Sequence, residues 1–444
     1  MHRLTIIILL ISIISCEAEK IDDNPTDVPL ALCIDGYAKF TSNGVSYEFE
    51  CDGYDLMSYI SLNEMNADSG NDCWGWTDSQ TGKEYALMGL DNGTAIVDIS
   101  IPTAPKYLGK IPTSTQSSSW RDLKVYNDHV FIVSEASDHG MQVFDLRRLR
   151  GISNKQIFNP DYVYQGYGQA HNIAINTETG YAYTAGSGLD INGRPGFGIH
   201  ALNISNPLSP SLETQFSDYG YTHDAQIIIY KGPDTEHIGK EIFIGSNENK
   251  VVFVDVTDKS NPNLISEFFY DDEYTHQSWL TEDHRYALLG DELDELDTTT
   301  RPWKLKSEAK TRTIVVDITD LDNPILHFNY FGNTKSIDHN GYIVGNNYFL
   351  ASYTSGLRVI NIKNIDDKNF IEVGFFDTHT DTHNHNLVRK TSTRNFDPGD
   401  HTGKKGQEID GFNGAWSVYP FFSSENIIIS DINSGLFIVR KSFD

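Results

Sequence analysis

Apolar runs of four to eight residues, alternating or continuous, recur along the whole chain and are bounded by Gly, Pro, Asn and Asp. That length and period predict β-strands, and no window of helical length competes. One run repeats as a unit: a strand ending in Asp or Asn, then Ile, Val or Leu, then a turn that often holds Pro. Its copies are GTAIVDISIPTAP (93–105), GMQVFDLRRL (140–149), GIHALNISNPLSP (198–210), KVVFVDVTDKSNP (250–262), RTIVVDITDLDNP (312–324) and GLRVINIKNID (356–366). A last copy, GLFIVRK (435–441), keeps the strand but carries Arg440 where the others have an acid or amide. Trp74 to Arg440 spans 367 residues, about 52 per copy, the scale of a four-stranded propeller blade. The expectation is an all-β chain folded as a seven-bladed β-propeller of four-stranded antiparallel blades over 74–444, since one blade cannot bury both faces of its sheet alone. The repeated Asp98, Asp145, Asn203, Asp255, Asp317 and Asn361 are expected to bond the turn between third and fourth strands.

The copies GLRVINI, KVVFVDVTDKSNP and RTIVVDITDLDNP resemble the LVIVD repeat. CWGWTDSQTGKEYALMGLDNGTAIVDIS, SSWRDLKVYNDHVFIVSEASDHGMQVFDL, YTHQSWLTEDHRY and NGAWSVYPFF are similar to the choice-of-anchor B family of exported bacterial proteins, over about residues 31–440. The resemblance implies the propeller and an address outside the cytoplasm, and brings no settled activity with it. Residues 379–408 depart from the pattern as a polar insertion without strand character.

The start of the chain sharpens that address. Residues 1–15 read as a secretory signal whose apolar run, Leu4 to Ile14, is too short to span a bilayer. Ile13-Ile14-Ser15-Cys16 resembles a bacterial lipobox, which makes Cys16 the lipidated residue and 16–30 an acidic tether; cleavage elsewhere is the alternative. The expected location is the bacterial outer membrane, lipid-anchored and facing the exterior. Residues 31–73 form an N-terminal segment in which Cys33 and Cys51 are expected to pair, leaving Cys73 as a buried free thiol. With 34 Lys plus Arg against 62 Asp plus Glu the formal charge is −28, which argues against nucleic acid as a partner. A protein, a glycan or a small molecule remains as the partner beside the membrane.

The candidate chemistry lies at the blade starts, because the first strand of each blade lines the propeller axis. His171, His223, His276 and His339 recur at steps of 52, 53 and 63 residues, the last step lengthened by an insertion in blade five. In the other blades the same place is read as Trp74 or Trp76, Arg121 beside Asp122, and Trp416. Imidazoles converging on an axis suit one divalent transition metal, Zn, Cu, Fe or Ni, with neighbours such as Asp224 and Asp338 orienting them. A polar ligand site and a packing network are the other two readings of the same ring. Glu135 and Asp291 are candidate carboxylate ligands or bases, whereas Glu292, Asp294 and Glu295 read as a solvated loop. His379, His383, His385 and His401 make a loose tract whose spacing fixes no geometry. No G-x-S-x-G, H-E-x-x-H or phosphate loop is present. These observations favour a surface binding or scaffold module with a metal-binding axis. A metal-dependent hydrolase or oxidoreductase is the second reading and a purely structural surface protein the third.

Overall fold

The computed structural model describes residues 28–42, 44–189, 195–271, 273–297, 304–306, 308–379 and 412–443. The expected signal peptide, Cys16, most of the tether, the insertion beyond His379 and with it His383, His385 and His401 lie outside the described residues.

The protein is an all-β propeller of antiparallel blades. Inner strands Gly70–Thr77, Arg121–Tyr126, Asn172–Asn176, Asp224–Ile229, Thr275–Leu280, Asp338–Val344 and Ala415–Tyr419 each pack on the next, and the last packs on the first, so the ring is closed. The expectation of seven blades is corrected: six blades, not seven, are built from one unbroken stretch of chain. The remaining sheet is composite. Its strands Ala415–Tyr419, Ile427–Asp431 and Gly435–Lys441 are completed by Tyr54–Ser61 from the N-terminal side, paired antiparallel from Gly435↔Ser61 to Lys441↔Tyr54. The N-terminal segment is thus part of the ring, and a boundary at residue 73 would fall inside the inner strand Gly70–Thr77.

The physical reason is visible at the repeat's anchor. Asp98, Asp145, Asn203, Asp255 and Asp317 each end a third strand, Asn361 lies near the end of Gly356–Asn364, and all six accept the backbone N–H two residues on, at 2.8 to 3.2 Å, before the chain turns into the fourth strand. Arg440 needs no such turn, because the fourth strand opposite it arrives from elsewhere: its backbone partner is Asp55. Two other blades depart from four strands. Gln156–Ile157 adds a parallel fifth strand beside Lys106–Pro112, and the hairpin Tyr37–Ser42/Val45–Asp52 extends the sixth blade through Cys51↔Phe376. Cys33 and Cys51 form a disulfide that ties this hairpin, and Cys73 is buried with a free thiol. The insertion expected in blade five contains the short hairpin Leu296–Asp297/Lys304–Leu305.

The core lies between blades. Phe131, Val133 and Val143 of the second blade meet Ile173, Ala182 and Leu202 of the third, all fully buried. Each of the Phe, Val, Ile and Leu side chains contributes about 1.5–3 kcal/mol relative to exposure. The same alternation repeats round the ring, holding the inner strand starts at fixed positions on the axis.

Candidate metal centre

Several inner strands begin with a bulge. Pairing with the second strand skips His276 between Thr275↔Asp291 and Gln277↔Gly290, and Trp416 between Ala415↔Asp431 and Ser417↔Ser430. It skips His339 with Asn340 in the sixth blade and Asn71 with Asp72 in the first. An extra residue there bends the strand and re-aims its side chain.

The result is an arc of rings. Centroids are 4.2 Å apart for His171 and His223, 4.4 Å for His223 and His276, 4.0 Å for His276 and His339, and 4.7 Å for His339 and Trp416. His171 Nδ1 donates to Glu135 Oε1 at 2.5 Å, His223 Nδ1 to the His276 carbonyl at 3.2 Å, and His339 Nδ1 to the Trp416 carbonyl at 2.6 Å. Donation from Nδ1 sets the tautomer that carries its lone pair on Nε2, the arrangement that presents imidazole to a metal. His276 Nδ1 is buried without a hydrogen-bond partner.

Glu292 supplies the carboxylate that the sequence reading assigned to a solvated loop. It is 3% exposed, with oxygens 3.9 Å from His276 Nε2 and 3.6 Å from His339 Nε2, and accepts the Tyr353 hydroxyl at 2.8 Å. Ligand atoms of His223, His276 and Glu292 all lie within 4.8 Å of one another. Burial pushes the Glu292 carboxyl up to about 7. Burial and the three neighbouring imidazoles drive His276 well below its ordinary value, so it is neutral and able to ligate. Burial opposes charge on His171 too, but Glu135 outweighs it and raises the imidazole. Nothing in the composition of Asp291-Glu292-Leu293-Asp294-Glu295 separates the buried acid from its neighbours; the usable cue was a position directly beyond the end of an inward second strand.

The other expected site residues go elsewhere. Asp291 is fully buried but spent, accepting the N–H groups of Glu273, Tyr274 and Leu293 and the Tyr270 hydroxyl, so the candidate base is a turn anchor. By strand register the place of the imidazoles in the first blade is Asn71, not Trp74 or Trp76. Trp76 stacks on Tyr85 and donates to Asp128 within the inter-blade core. Arg121 turns sideways, donating to the Leu90 carbonyl at 3.0 Å and meeting the His139 ring at 2.9 Å.

The residues one step on form a polar belt. Lys124 bridges Asp122 at 2.6 Å and Asp72 at 3.2 Å, Asn172 donates to Asp224 at 3.0 Å, and Asn340 donates to Asp72 and to Ser417. Burial works against ionised Asp72, yet Lys124 holds it below the usual range; burial keeps Asp122 well above it. Trp74 closes the axis next, with Lys124 Nζ 4.7 Å from its ring and Tyr342, Tyr419 and Phe421 packed round it. Asp338 belongs to neither layer: it is fully buried at the head of its inner strand and turned onto blade five, where a Cβ on Gly290 would lie 2.6 Å from its Oδ2.

A second cluster, Asp234, His237 and Asp322, joins blades four and five. His237 Nε2 donates to Asp322 at 2.8 Å and Lys240 meets Nδ1 at 3.3 Å, while Asp234 accepts the Leu321 N–H at 3.0 Å. With both ring nitrogens engaged, this group reads as a clasp between blades.

The LVIVD repeat pattern matches residues 83–113 and 238–269. No curated protein matches the chain. Among solved structures, a protein from Lactobacillus plantarum is similar at 12% identity and a TM-score of 0.46, covering 70% of this chain and 83% of that one. A protein from Desulfotomaculum acetoxidans described as functionally unknown is similar at 11% identity and a TM-score of 0.45, covering 67% and 83%. Among the described residues no helix is long and apolar enough to cross a membrane. Repeat matches in the first and fourth blades, on a closed ring of antiparallel sheets, make the chain an LVIVD-repeat β-propeller.

Proposed function

We propose that the protein is a surface-anchored binding module of the choice-of-anchor B type that holds one divalent transition metal on the propeller axis. The observation that carries the reading is the buried convergence of His223, His276 and Glu292, with the tilted rings of His171 and His339 on either side. Two imidazoles and a carboxylate suit Zn, Fe, Ni or Cu, and a partner or water completes the shell. The lipobox-like Cys16 and the acidic tether support an outer-membrane lipid anchor facing outward, and the partner is a protein, glycan or small molecule.

Elemental analysis of full-length protein purified without chelators tests the metal. The expected result is about one ion per chain, with loading lost at least about tenfold in the His223→Ala/His276→Ala variant. Equal, sub-stoichiometric metal in both proteins would sink the proposal. The hydrogen-bonded Glu135–His171 pair favours a second reading, a metal-dependent hydrolase or oxidoreductase with Glu135 as base. Turnover of ester, phosphoester or glycoside substrates by the metal-loaded protein, lost in Glu135→Gln, separates that reading from the binder.

A further inference from the structure

The turn after the second strand of blade five sends its acids in different directions. Asp291 folds back onto the turn's own backbone, and Asp294 pairs with Arg312, whose backbone N–H donates to Glu295 Oε1 at 3.2 Å. Glu292 turns inward, its own N–H donating to the Tyr274 carbonyl at 3.0 Å. Its two oxygens then meet different neighbours. Oε2 stands 3.9 Å from Nε2 of His276, a member of the convergent set. Oε1 stands 3.6 Å from His339 Nε2 and accepts the Tyr353 hydroxyl at 2.8 Å.

Tyr353 comes from the sixth blade, in the short turn Tyr353–Ser355 that follows the strand Asn347–Ser352, and it is fully buried. Its backbone is pinned. The carbonyl accepts the Gly356 N–H, and Gly414, at φ +94°, passes so close that a Cβ there would lie 2.1 Å from that oxygen. The ring is pinned too, with centroids 4.8 Å from His339, 5.4 Å from Phe412 and 6.3 Å from Trp416. A hydroxyl on so fixed a frame does not follow Glu292 about; it decides where Oε1 lies.

A carboxylate offers a metal one oxygen or both, and that choice sets how many ligands the ion collects. Zinc takes one carboxylate oxygen beside two imidazoles and closes a tetrahedral shell with a fourth ligand, whereas manganese favours an octahedral shell rich in oxygen. A donor on Oε1 draws charge from that oxygen and locks the plane of the carboxylate, which favours coordination through Oε2 alone. We infer that, given the axial metal proposed above, Tyr353 is the positioning residue that holds Glu292 to a single ligand oxygen and makes the site select a tetrahedral ion of the zinc class over an octahedral one. Tyr353 acts through Glu292 and does not itself touch the ion.

Chelator-stripped full-length protein is loaded with cobalt chloride and, in parallel, titrated with zinc chloride and manganese chloride. Tetrahedral cobalt gives an intense visible band that fades at higher coordination. The unsubstituted protein is expected to show it. Tyr353→Phe keeps the ring and loses the hydroxyl alone. It is expected to weaken the cobalt band and to bind zinc about tenfold less tightly with manganese binding undiminished, so that the preference for zinc narrows about tenfold. Phe412→Leu loosens the packing round Tyr353 and keeps the hydroxyl; it is expected to lower the unfolding temperature and leave band and preference as they were. A merely structural Tyr353 would move the unfolding temperature in both variants and the preference in neither. An unchanged cobalt band and zinc preference in Tyr353→Phe would overturn the inference and leave the axial metal standing. So would an equal shift of both in Phe412→Leu. Failure of the unsubstituted protein to take up any of the three ions would overturn the axial metal and the inference with it.

Discussion

Glu292 makes the axis sensitive to pH. Its carboxyl titrates near 4.5 in an unfolded chain and is pushed by burial up to about 7 in the fold, so the native state keeps a proton that the unfolded state has released. Stability of the metal-free protein from this group therefore falls as pH rises from about 4.5 to about 7. Asp224, raised by burial from 3.8 to about 6, adds the same sign over its own window. Glu292→Gln is expected to flatten the pH slope, which urea unfolding at pH 5 and pH 7 measures; an unchanged slope would remove Glu292 from the account. Metal uptake runs the other way, weakening about tenfold per pH unit below 7, because the ion must displace that proton. The four histidines were legible because duplication spaces them one blade apart. Asn71 was not, because a bulge shifts the register by residues that composition does not mark, and the CWGW tract drew the alignment to Trp74 and Trp76. Glu292 was hidden by its company, since a run of acids reads as solvent-facing until Tyr353 and two imidazoles are known to cover one of them.

Among the elements, the six repeated strand-and-turn units could be read directly, because an Asp or Asn that accepts the N–H two residues ahead is a local interaction with a local sequence mark. The hairpin Tyr37–Ser42/Val45–Asp52 was harder to place. Its partner strand, Asn369–Phe376, lies more than 300 residues away, and nothing local announces a pairing of Cys51 with Phe376. The Cys33–Cys51 disulfide, with a sequence separation of 18, closes the hairpin on itself and limits what its open form gains in entropy. For a loop of that size the chain-entropy estimate is about 3 kcal/mol. Amides of Tyr37–Ser42 are expected to exchange with solvent about two orders of magnitude faster in Cys33→Ala/Cys51→Ala, while those of the inner strands are unaffected. Hydrogen exchange read by mass spectrometry decides this. A uniform rise over all blades would show instead that the hairpin supports the whole ring.

For the molecule as a whole, closure is the decisive feature, and the sequence pointed to a wheel without fixing how its ends meet. Tyr54–Ser61 completes the last sheet, and Phe437 on its partner strand packs against Phe49, Tyr59 and Phe376, so one aromatic joins the N-terminal hairpin, the composite sheet and the sixth blade. Phe437→Ala is expected to cost about 3–5 kcal/mol and to expose the chain near residue 53 to protease. Limited proteolysis before and after the substitution reads this, and equal resistance would place the clasp elsewhere. Because the last sheet takes three strands from Ala415–Tyr419, Ile427–Asp431 and Gly435–Lys441 and its fourth from Tyr54–Ser61, the ring cannot shut until Gly435–Lys441 has been delivered. A chain halted before Gly435 presents two unpaired sheet edges, a ready template for other strands. Arrival of Gly435–Lys441 is thus inspected by the architecture itself: the closed ring conceals its seam, and a ring without that strand advertises it.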